Sequence, residues 1–289
     1  MLKTLMKAAA ALVLACGLAA PAVAQERIRF AVTDIEGAEA LQREYGAFAR
    51  ALGEVIGSQV ELFPVTSRTI GVEAMASSQV DFVLTGPAEY VVFRARANAE
   101  PVVVWTRPNY FPQVVVLANG PIRSVADLRG RTISFGEIGS TSQHLGPAQA
   151  LADLGLRYNV DYRPTFLNRN VAVEALIRGD IAAVGLNFGH LQAIRRRFTE
   201  TAFFVVARGR DLPDDVLVAR PGLDRALIER VRQAFVQHGA RLMAEILRGD
   251  DARKYEGGHF LTSIDDASFN YVRGLYRTIG INEFTRFIQ

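Results

Sequence analysis

A short run of hydroxyl residues in the middle of this sequence suggests anion-binding chemistry. Ser140, Thr141 and Ser142 follow Gly139 and precede the helical spacing of residues 148 to 154. At a helix start several backbone N–H groups have no partner and point in one direction, and the helix dipole adds partial positive charge. The hydroxyl groups supply further donors. This combination is suited to a compact oxyanion such as phosphate, phosphonate or sulfate.

The same run also has a purely structural interpretation. Serine and threonine cap helices generally, so an ordinary N-cap at residues 140 to 142 remains an alternative. Pro147 lacks a backbone N–H and therefore predicts a kink or a late start of the helix. We expect His144 to donate to a ligand or to pack in a cleft. Glu137 would repel an anion unless its side chain faces away.

Motifs of the common enzyme classes are missing from the sequence. There is no Gly-x-Ser-x-Gly, no Gly-x-Gly-x-x-Gly and no phosphate-binding loop with its lysine. Ser142 and His144 are too close on one turn to form a convincing pair of nucleophile and base. The four histidines have no short metal-ligand spacing, and His190, His238 and His259 are expected on the surface or in the core. We therefore expect a binding protein with no enzymatic activity, no cofactor and no metal.

The N-terminus reads as a secretory signal. Lys3 and Lys7 precede an apolar run that ends at Ala20, and Ala22-Val23-Ala24 forms a small-x-small cleavage site before Gln25. Cleavage there predicts export to the periplasm. The alternative is a lipoprotein attached through Cys16, which the good cleavage site disfavours.

The composition excludes several classes of protein. Without its first 24 residues the 289-residue chain has 31 basic and 30 acidic side chains, so no basic face for nucleic acid is implied. The single cysteine excludes a disulfide framework and a zinc cluster of thiolates. No segment after the leader is apolar over the ~20 residues that a transmembrane helix needs.

The elements that position the hydroxyl run alternate between strand and helix. Apolar spacing predicts strands at 27–33, 59–63 and 80–84, separated by helices at 38–56 and 70–76. This order is typical of an α/β fold with a mostly parallel sheet covered by helices on both faces. Further helices are predicted at 223–247 and 264–288.

A second unit repeats the first at an offset of 101 residues. Residues 72–75 (VEAM) and 80–83 (VDFV) match residues 173–176 (VEAL) and 181–184 (IAAV) without a gap. Two similar lobes explain the match, with chance as the alternative. Apolar runs at 112–118 and 201–207 are predicted to cross between them, so that lobe one comprises residues 25–118 and 205–289 and lobe two residues 119–204. Such proteins close on a ligand in the cleft.

Three segments resemble the phosphate/phosphite/phosphonate-binding proteins of ABC transporters. They are residues 139–147 (GSTSQHLGP), 124–131 (SVADLRGR) and 85–90 (TGPAEY), and the resemblance extends over residues 28–281. It implies a monomeric two-lobed periplasmic binding protein of type II, with two crossover strands, that delivers its oxyanion to an inner-membrane permease. The ligand-binding residues that it implies are Ser140, Thr141 and Ser142 on one lobe and Thr85, Gly86 and Tyr90 on the other. We add His144 and Asn187 as further candidate ligand-binding residues.

Departures from the family pattern suggest which ligand is bound. A family tyrosine falls on Arg68, a His-Asp pair on Arg169 and Asn170, and an aspartate on Ala182. The missing carboxylates leave nothing to neutralise the amine of an aminoalkylphosphonate, whereas the two arginines would add cationic, bidentate donors. We therefore predict a tetrahedral oxyanion without an amino group. A surface role for each arginine is the alternative.

Two other functional classes are compatible with the same residues. A sensor would use the same two-lobed binder to report its ligand state to a membrane histidine kinase, and neighbouring genes would separate it from a transport protein. A periplasmic enzyme acting on a phospho-compound would show turnover, whereas a binding protein would return its ligand unchanged.

Overall fold

Strands and helices alternate along the chain as the sequence predicts. A computed structural model describes residues 26–287, so the predicted signal segment and Cys16 lie outside the described residues. Within that range no helix is long and apolar enough to cross a membrane. The elements in chain order are β1 (Arg27–Val32), α1 (Ala38–Ile56), β2 (Gln59–Leu62), α2 (Arg68–Ala76), β3 (Phe82–Thr85), α3 (Pro87–Ala97), β4 (Glu100–Trp105), β5 (Pro112–Leu117), β6 (Thr132–Phe135), α4 (Gly146–Asp153), β7 (Arg163–Phe166), α5 (Arg169–Arg178), β8 (Ala183–Asn187), α6 (Phe188–Arg197), β9 (Phe203–Arg208), β10 (Asp215–Ala219), α7 (Arg225–Ile246), β11 (Phe260–Leu261) and α8 (Asn270–Thr278).

The first sheet combines a parallel half with an antiparallel edge. Its order is β11-β4-β10-β3-β1-β2, with β1 parallel to β2 and β3. Strand β10 runs antiparallel to both β3 and β4, and β11 antiparallel to β4. The parallel half is the one that the strand–helix alternation predicts. The return strand β10 comes from the chain beyond the second sheet.

Helices cover both faces of this sheet because each presents an apolar face. Helix α1 buries Leu41, Tyr45, Phe48 and Leu52 against one face, together with residues of α7. The Phe48 ring lies edge-on to Trp105, with 5.3 Å between ring centroids. Helices α2, α3 and α8 form a second core on the opposite face. The last predicted helix is shorter than expected, since residues 266–269 form a 3-10 turn and α8 ends at Thr278.

The second sheet repeats the arrangement of the first. Its order is β7-β6-β8-β5-β9, with β6 parallel to β7 and β8, and β5 antiparallel to β8 and β9. Three pairs of elements begin 101 residues apart: α2 and α5 at 68 and 169, β3 and β8 at 82 and 183, and α3 and α6 at 87 and 188. The two predicted α/β units are therefore confirmed. Corresponding residues of the two units can face each other across a shared cleft.

The chain passes between the sheets twice. The apolar runs at 112–118 and 201–207 form β5 and β9, which both belong to the second sheet. The passages therefore lie at residues 106–111 and 209–214, beside the predicted crossover runs and not within them. We propose these passages as the lobe boundaries, in place of 118/119 and 204/205. Each of these two passages leads into a strand, β5 or β10, that begins at the cleft.

Candidate ligand-binding site

A cavity of about 110 Å³ lies between the two sheets, at the carboxyl ends of their parallel strands. This is where open α/β sheets generally bind ligands. Loops after β1, β3 and β4 contribute from the first sheet, and the segments after β6 and β8 from the second. The lining residues are Asp34, Arg68, Gly86, Glu89, Arg107, Tyr110, Glu137, Ser140, Thr141, Ser142, Gln143, Arg169, Asn187, His190, Asp251 and Lys254.

The hydroxyl run forms one wall of the cavity. Gly139 has φ of 84°, a left-handed conformation that glycine adopts without strain, and it turns the chain from β6 into the helix start. Residues Thr141–Leu145 form a single π-helical turn that continues into α4 at Gly146. The α-helix thus starts late, as Pro147 predicts. Within residues 26–287 the backbone N–H groups of residues 141 to 143 have no hydrogen-bond acceptor.

Two of the three hydroxyl groups already have protein partners. Thr141 Oγ1 accepts from the backbone N–H of Ala88 in α3, at 2.9 Å, so it links the two lobes. Ser142 Oγ accepts from Asn187 Nδ2 at 3.1 Å. In the described part of the chain no residue hydrogen-bonds the hydroxyl of Ser140. An anion at this wall would therefore meet three unpaired N–H groups and a free hydroxyl.

Arg68 lies at the centre of a carboxylate cluster. Its Nη1 is 2.9 Å from Asp34 Oδ1, its Nη2 is 3.0 Å from Glu137 Oε2, and it forms a further ion pair with Glu89. Burial disfavours the charge, but Asp34 and Glu137 outweigh it and raise the pKa of Arg68. Glu137 belongs to the second lobe, so this ion pair crosses the cleft. The charge of Arg68 is therefore neutralised by carboxylates of the protein itself.

Lys254 completes the cluster from the C-terminal part of the chain. Its Nζ is 2.9 Å from Asp34 Oδ2 and 3.2 Å from Asp251 Oδ2. Burial alone would raise the pKa of Asp34, yet Lys254 and Arg68 hold that pKa well below its usual range. Both oxygens of Asp34 are therefore occupied by cationic partners.

Arg107 is paired in a similar way on the passage after β4. Its Nη1 lies 3.1 Å from Asp215 Oδ1, and its guanidinium carbon lies 3.6 Å from the centre of the Tyr110 ring. The other oxygen of Asp215 accepts from the Tyr255 hydroxyl at 2.6 Å. Burial opposes the Arg107 charge, but Asp215 raises the pKa of Arg107 overall.

Arg169 differs from the other cationic side chains of the cavity. Within residues 26–287 its side chain forms no ion pair and no hydrogen bond, although it begins α5 at the edge of the cavity. Burial lowers the pKa of Arg169, and Asp251 and Glu137 offset this only partly, from beyond ion-pair distance. Its guanidinium is therefore free to pair with a bound anion, and the surface alternative does not describe its position.

His190 and Asn187 line the cavity from the start of α6. Asn187 Oδ1 accepts from the His190 backbone N–H at 2.8 Å and so caps this helix. Burial lowers the pKa of His190 well below its usual value, and the cations of Arg169, Arg107 and Lys254 lower it further. The imidazole is therefore neutral. Its location in the cavity contradicts the expectation that it lies on the surface or in the core.

Seven of the ten predicted ligand-binding residues line the cavity, and three do not. Thr85 is buried and its hydroxyl lies 3.2 Å from that of Thr33. The Tyr90 hydroxyl donates to Asp266 at 2.6 Å in the core beneath α3. His144 is also buried; its Nδ1 accepts from the Gly139 N–H and its Nε2 lies 2.9 Å from the Tyr158 hydroxyl.

Carboxylates are abundant in the cavity, contrary to the sequence argument. Asp34, Glu89, Glu137 and Asp251 all line the cavity. The expectation that the site has no carboxylate to neutralise an amine is therefore wrong. These side chains lie at positions that the comparison with the family pattern did not include. The 101-residue offset could have identified Glu89. At this offset Arg68 corresponds to Arg169 and Gly86 to Asn187, and all four residues line the cavity. Glu89 corresponds in the same way to His190, which also lines it.

No metal site accompanies these acidic groups. Within the described range of 26–287 no group of three or more histidine, cysteine or acidic side chains is arranged to hold a metal ion. Each acidic side chain of the cavity has a cationic neighbour, as described above.

Comparison with protein families supports a binding function. The family model described as "ABC transporter, phosphonate, periplasmic substrate-binding protein" matches residues 30–257. A curated relative, the putative aliphatic sulfonates-binding protein of Escherichia coli strain K12, is 34% identical over 113 residues. That match covers 38% of this chain and 34% of the relative, so the chain spans about a third of the relative's length.

Solved structures share the fold over nearly the whole chain. A binding-protein component of an ABC phosphonate transporter from Pseudomonas aeruginosa has a TM-score of 0.69 at 20% identity, covering 87% of this chain and 85% of that chain. A protein from Prochlorococcus marinus in complex with methylphosphonate has a TM-score of 0.69 at 15% identity, covering 88% and 98%. At these identities the likeness concerns the fold.

Proposed function

The chain belongs to the family of periplasmic phosphonate substrate-binding proteins of ABC transporters, and from this premise we propose that it captures a small tetrahedral oxyanion of the phosphonate, phosphite or phosphate class. The captured anion would be handed to an inner-membrane permease, which is the partner that membership of the family implies. The sensor alternative has no supporting observation among the relatives. We therefore propose uptake.

The observation that carries the proposal is the convergence of unpaired donors on one cavity. Within the part of the chain that the structure describes, the N–H groups of residues 141 to 143, the Ser140 hydroxyl and the Arg169 guanidinium all lack protein partners. Buried donors without acceptors are costly, so a site that leaves this many unpaired gains free energy when an anion occupies it. Each charge-assisted bond contributes ~1.5–3 kcal/mol.

The lobes are held closed around this cavity by contacts that cross the cleft. One is the hydrogen bond from the Ala88 N–H to Thr141 Oγ1, and another is the ion pair between Arg68 and Glu137. Both involve residues beside the proposed anion position. Binding an oxyanion at the helix start would therefore stabilise closure, and opening would release it.

A sulfonate is the second candidate ligand. The curated relative from Escherichia coli is named for aliphatic sulfonates, and a sulfonate is also a tetrahedral oxyanion with three oxygen acceptors. The helix start alone does not distinguish the two classes, because backbone N–H groups and hydroxyls donate equally to phosphorus and sulfur oxyanions.

A thermal-shift screen of the mature protein tests the proposal. Its panel contains phosphate, phosphite, methylphosphonate, 2-aminoethylphosphonate, sulfate and methanesulfonate. A ligand that binds the folded state raises the unfolding midpoint by mass action, so the midpoints rank the panel. We expect one or more phosphorus oxyanions to give the largest rise. A panel in which no oxyanion shifts the midpoint would overturn the proposed function.

A further inference from the structure

We propose that Glu89 makes the site selective for oxyanions that carry a hydroxyl on their central atom, namely phosphonate and phosphate monoanions, over sulfonates and sulfate. The inference rests on the proposed function and names the substrate class of the same site. It uses a buried acidic side chain that anion capture by itself does not require.

Glu89 lines the same cavity as the proposed anion position. It is the third residue of α3, it lines the cavity, and it is only 4% exposed. The preceding residue, Ala88, donates its backbone N–H to Thr141 in the hydroxyl run. The carboxylate and the helix start therefore belong to two walls of the cleft that are linked by this hydrogen bond.

Glu89 is the carboxylate of the cavity whose acceptor capacity is unmet. Its Oε1 is in ion-pair contact with Arg68 Nη1, and within residues 26–287 its buried Oε2 has no hydrogen-bond donor. Asp34 has both oxygens engaged by Arg68 and Lys254, whereas Glu137 is paired with Arg68 and 58% exposed. A buried acceptor without a donor needs one from the ligand.

An ionised carboxylate discriminates between ligands by the proton that they carry. It accepts hydrogen bonds but cannot donate, so a P–OH group binds to it while a bare S–O⁻ or P–O⁻ oxygen is repelled. Phosphorus oxyanions lose their second proton near neutral pH, whereas a sulfonate has no second proton to offer. The same carboxylate therefore favours the phosphorus monoanion and disfavours the sulfonate.

Among the charged groups that the described residues place around the cavity, one cation is available to a bound anion. Four acidic and four cationic side chains line the cavity, and Asp215 adds a further negative charge behind Arg107. Arg68 contacts this carboxylate, and the other charged groups that line the same cavity are Asp34, Arg107, Glu137, Arg169, Asp251 and Lys254. Arg169 is the lining cation that has no carboxylate partner within residues 26–287, and its charge can balance one negative charge on a ligand.

Calorimetry with methylphosphonate and methanesulfonate tests the selectivity, because the two probes have nearly the same shape. We expect the wild-type protein to bind methylphosphonate at least ~10-fold more tightly. In Glu89→Gln the amide can donate, so the ratio should fall toward one, with weaker methylphosphonate and stronger methanesulfonate binding. The matched control is Glu39→Gln, an exposed glutamate in the first turn of α1, which should leave the ratio unchanged.

Proton uptake gives a second readout that does not depend on a variant. At about pH 8 free methylphosphonate is mostly a dianion, so binding as the monoanion must take up a proton. Titrations in buffers of different ionisation enthalpy measure this uptake, which we expect to approach one proton per ligand. His190→Asn should retain the uptake, which separates a proton on the ligand from one on the imidazole.

The outcomes separate this inference from the proposed function. Equal or tighter binding of methanesulfonate, a ratio that persists in folded Glu89→Gln, or uptake that disappears in His190→Asn would each overturn the role of Glu89 while leaving oxyanion capture intact. If neither probe nor any other oxyanion of the panel binds, the proposed function itself fails. Should Glu89→Gln not fold, the wild-type ratio and proton uptake decide alone.

Discussion

Arg68 and Arg169 occupy equivalent positions in the two lobes, yet only Arg169 is free to bind an anion. Each is the first residue of its helix, 101 positions apart, and both line the same cavity. Arg68 is surrounded by Asp34, Glu89 and Glu137, whereas Arg169 has no ion-pair partner in the described range. The repeat thus supplies two cations, and they differ because carboxylates neutralise Arg68 and not Arg169. One holds the lobes together and the other remains available to a ligand.

Removing the free guanidinium should weaken binding without unfolding the protein. Arg169→Ala is expected to reduce affinity for methylphosphonate by ~10–100-fold, since one charge-assisted interaction is lost. The melting temperature of the ligand-free protein should not fall, because no internal partner is lost. Calorimetry and thermal denaturation measure the two effects. Arg178→Ala, at the exposed end of the same helix, is the control, and equal affinities of the two variants would contradict the role of Arg169.

Removing the paired guanidinium should affect stability as well as binding. Arg68→Ala leaves the buried Glu89 without its cationic neighbour and leaves Asp34 with Lys254 alone, which is strongly unfavourable. We expect the melting temperature of the ligand-free protein to fall by roughly 5 °C or more, together with weaker anion binding. An unchanged melting temperature would show that the carboxylate cluster does not depend on this arginine.

The hydroxyl run should contribute most of the remaining affinity. The double substitution Ser140→Ala and Ser142→Ala is expected to weaken phosphate or phosphonate binding by at least ~100-fold, because two donors beside the unpaired N–H groups are lost. Ser263→Ala, an exposed serine far along the chain, serves as a control in the same titration. Normal binding by the double variant would mean that the run is only a helix cap.

An amino group on the ligand should not improve binding. Each carboxylate of the cavity already has a cationic neighbour: Asp34, Glu89 and Glu137 share Arg68, and Asp251 pairs with Lys254. An ammonium group would have to compete with Arg68 or Lys254 for these carboxylates. We therefore expect methylphosphonate to bind more tightly than 2-aminoethylphosphonate in calorimetry. The reverse order would mean that a ligand amine displaces one of these cations.

Acid should destabilise the protein through His144. Burial lowers the pKa of His144 from 6.5 to about 4, so the unfolded chain binds a proton between these values and the folded protein does not. The free energy of unfolding is therefore unaffected by this histidine above its unfolded-state pKa of 6.5, and it decreases as the pH falls below that value. Between pH 7 and about pH 5 the free energy of unfolding of the wild type should drop by about 2 kcal/mol more than that of His144→Gln.

Denaturant titrations at the two pH values measure this difference. The control is His238→Gln, because His238 is exposed on α7. If the wild type and His144→Gln lose the same stability on acidification, the buried imidazole is not the group responsible.

The cross-cleft ion pair should help to keep the lobes together. Glu137→Gln removes the charge that Arg68 contacts across the cleft, so the ligand-free protein should open more widely. Small-angle scattering should show a larger radius of gyration for this variant without ligand, and a decrease in both proteins at saturating methylphosphonate. Identical radii with and without ligand would contradict closure.

The sequence alone determines the elements and their repetition, because hydrophobic spacing is a local property of the chain. The predicted helix at 38–56 matches α1, and its apolar positions are those that the structure buries. The 101-residue offset places α2 over α5 and β3 over β8 for the same reason. The hydroxyl run is likewise recognisable, since a helix start depends only on neighbouring residues.

Side-chain direction and long-range charge pairing were decided only by the tertiary structure. Tyr90 and His144 lie next to cavity residues along the chain, yet core packing turns the first toward Asp266 and the second toward Tyr158. Lys254 reaches Asp34 from 220 residues away, and no local pattern predicts that contact. Such pairings depend on where the folded chain brings distant loops together. This is why the hydroxyl run could be predicted from the sequence, whereas the carboxylate cluster opposite it could not.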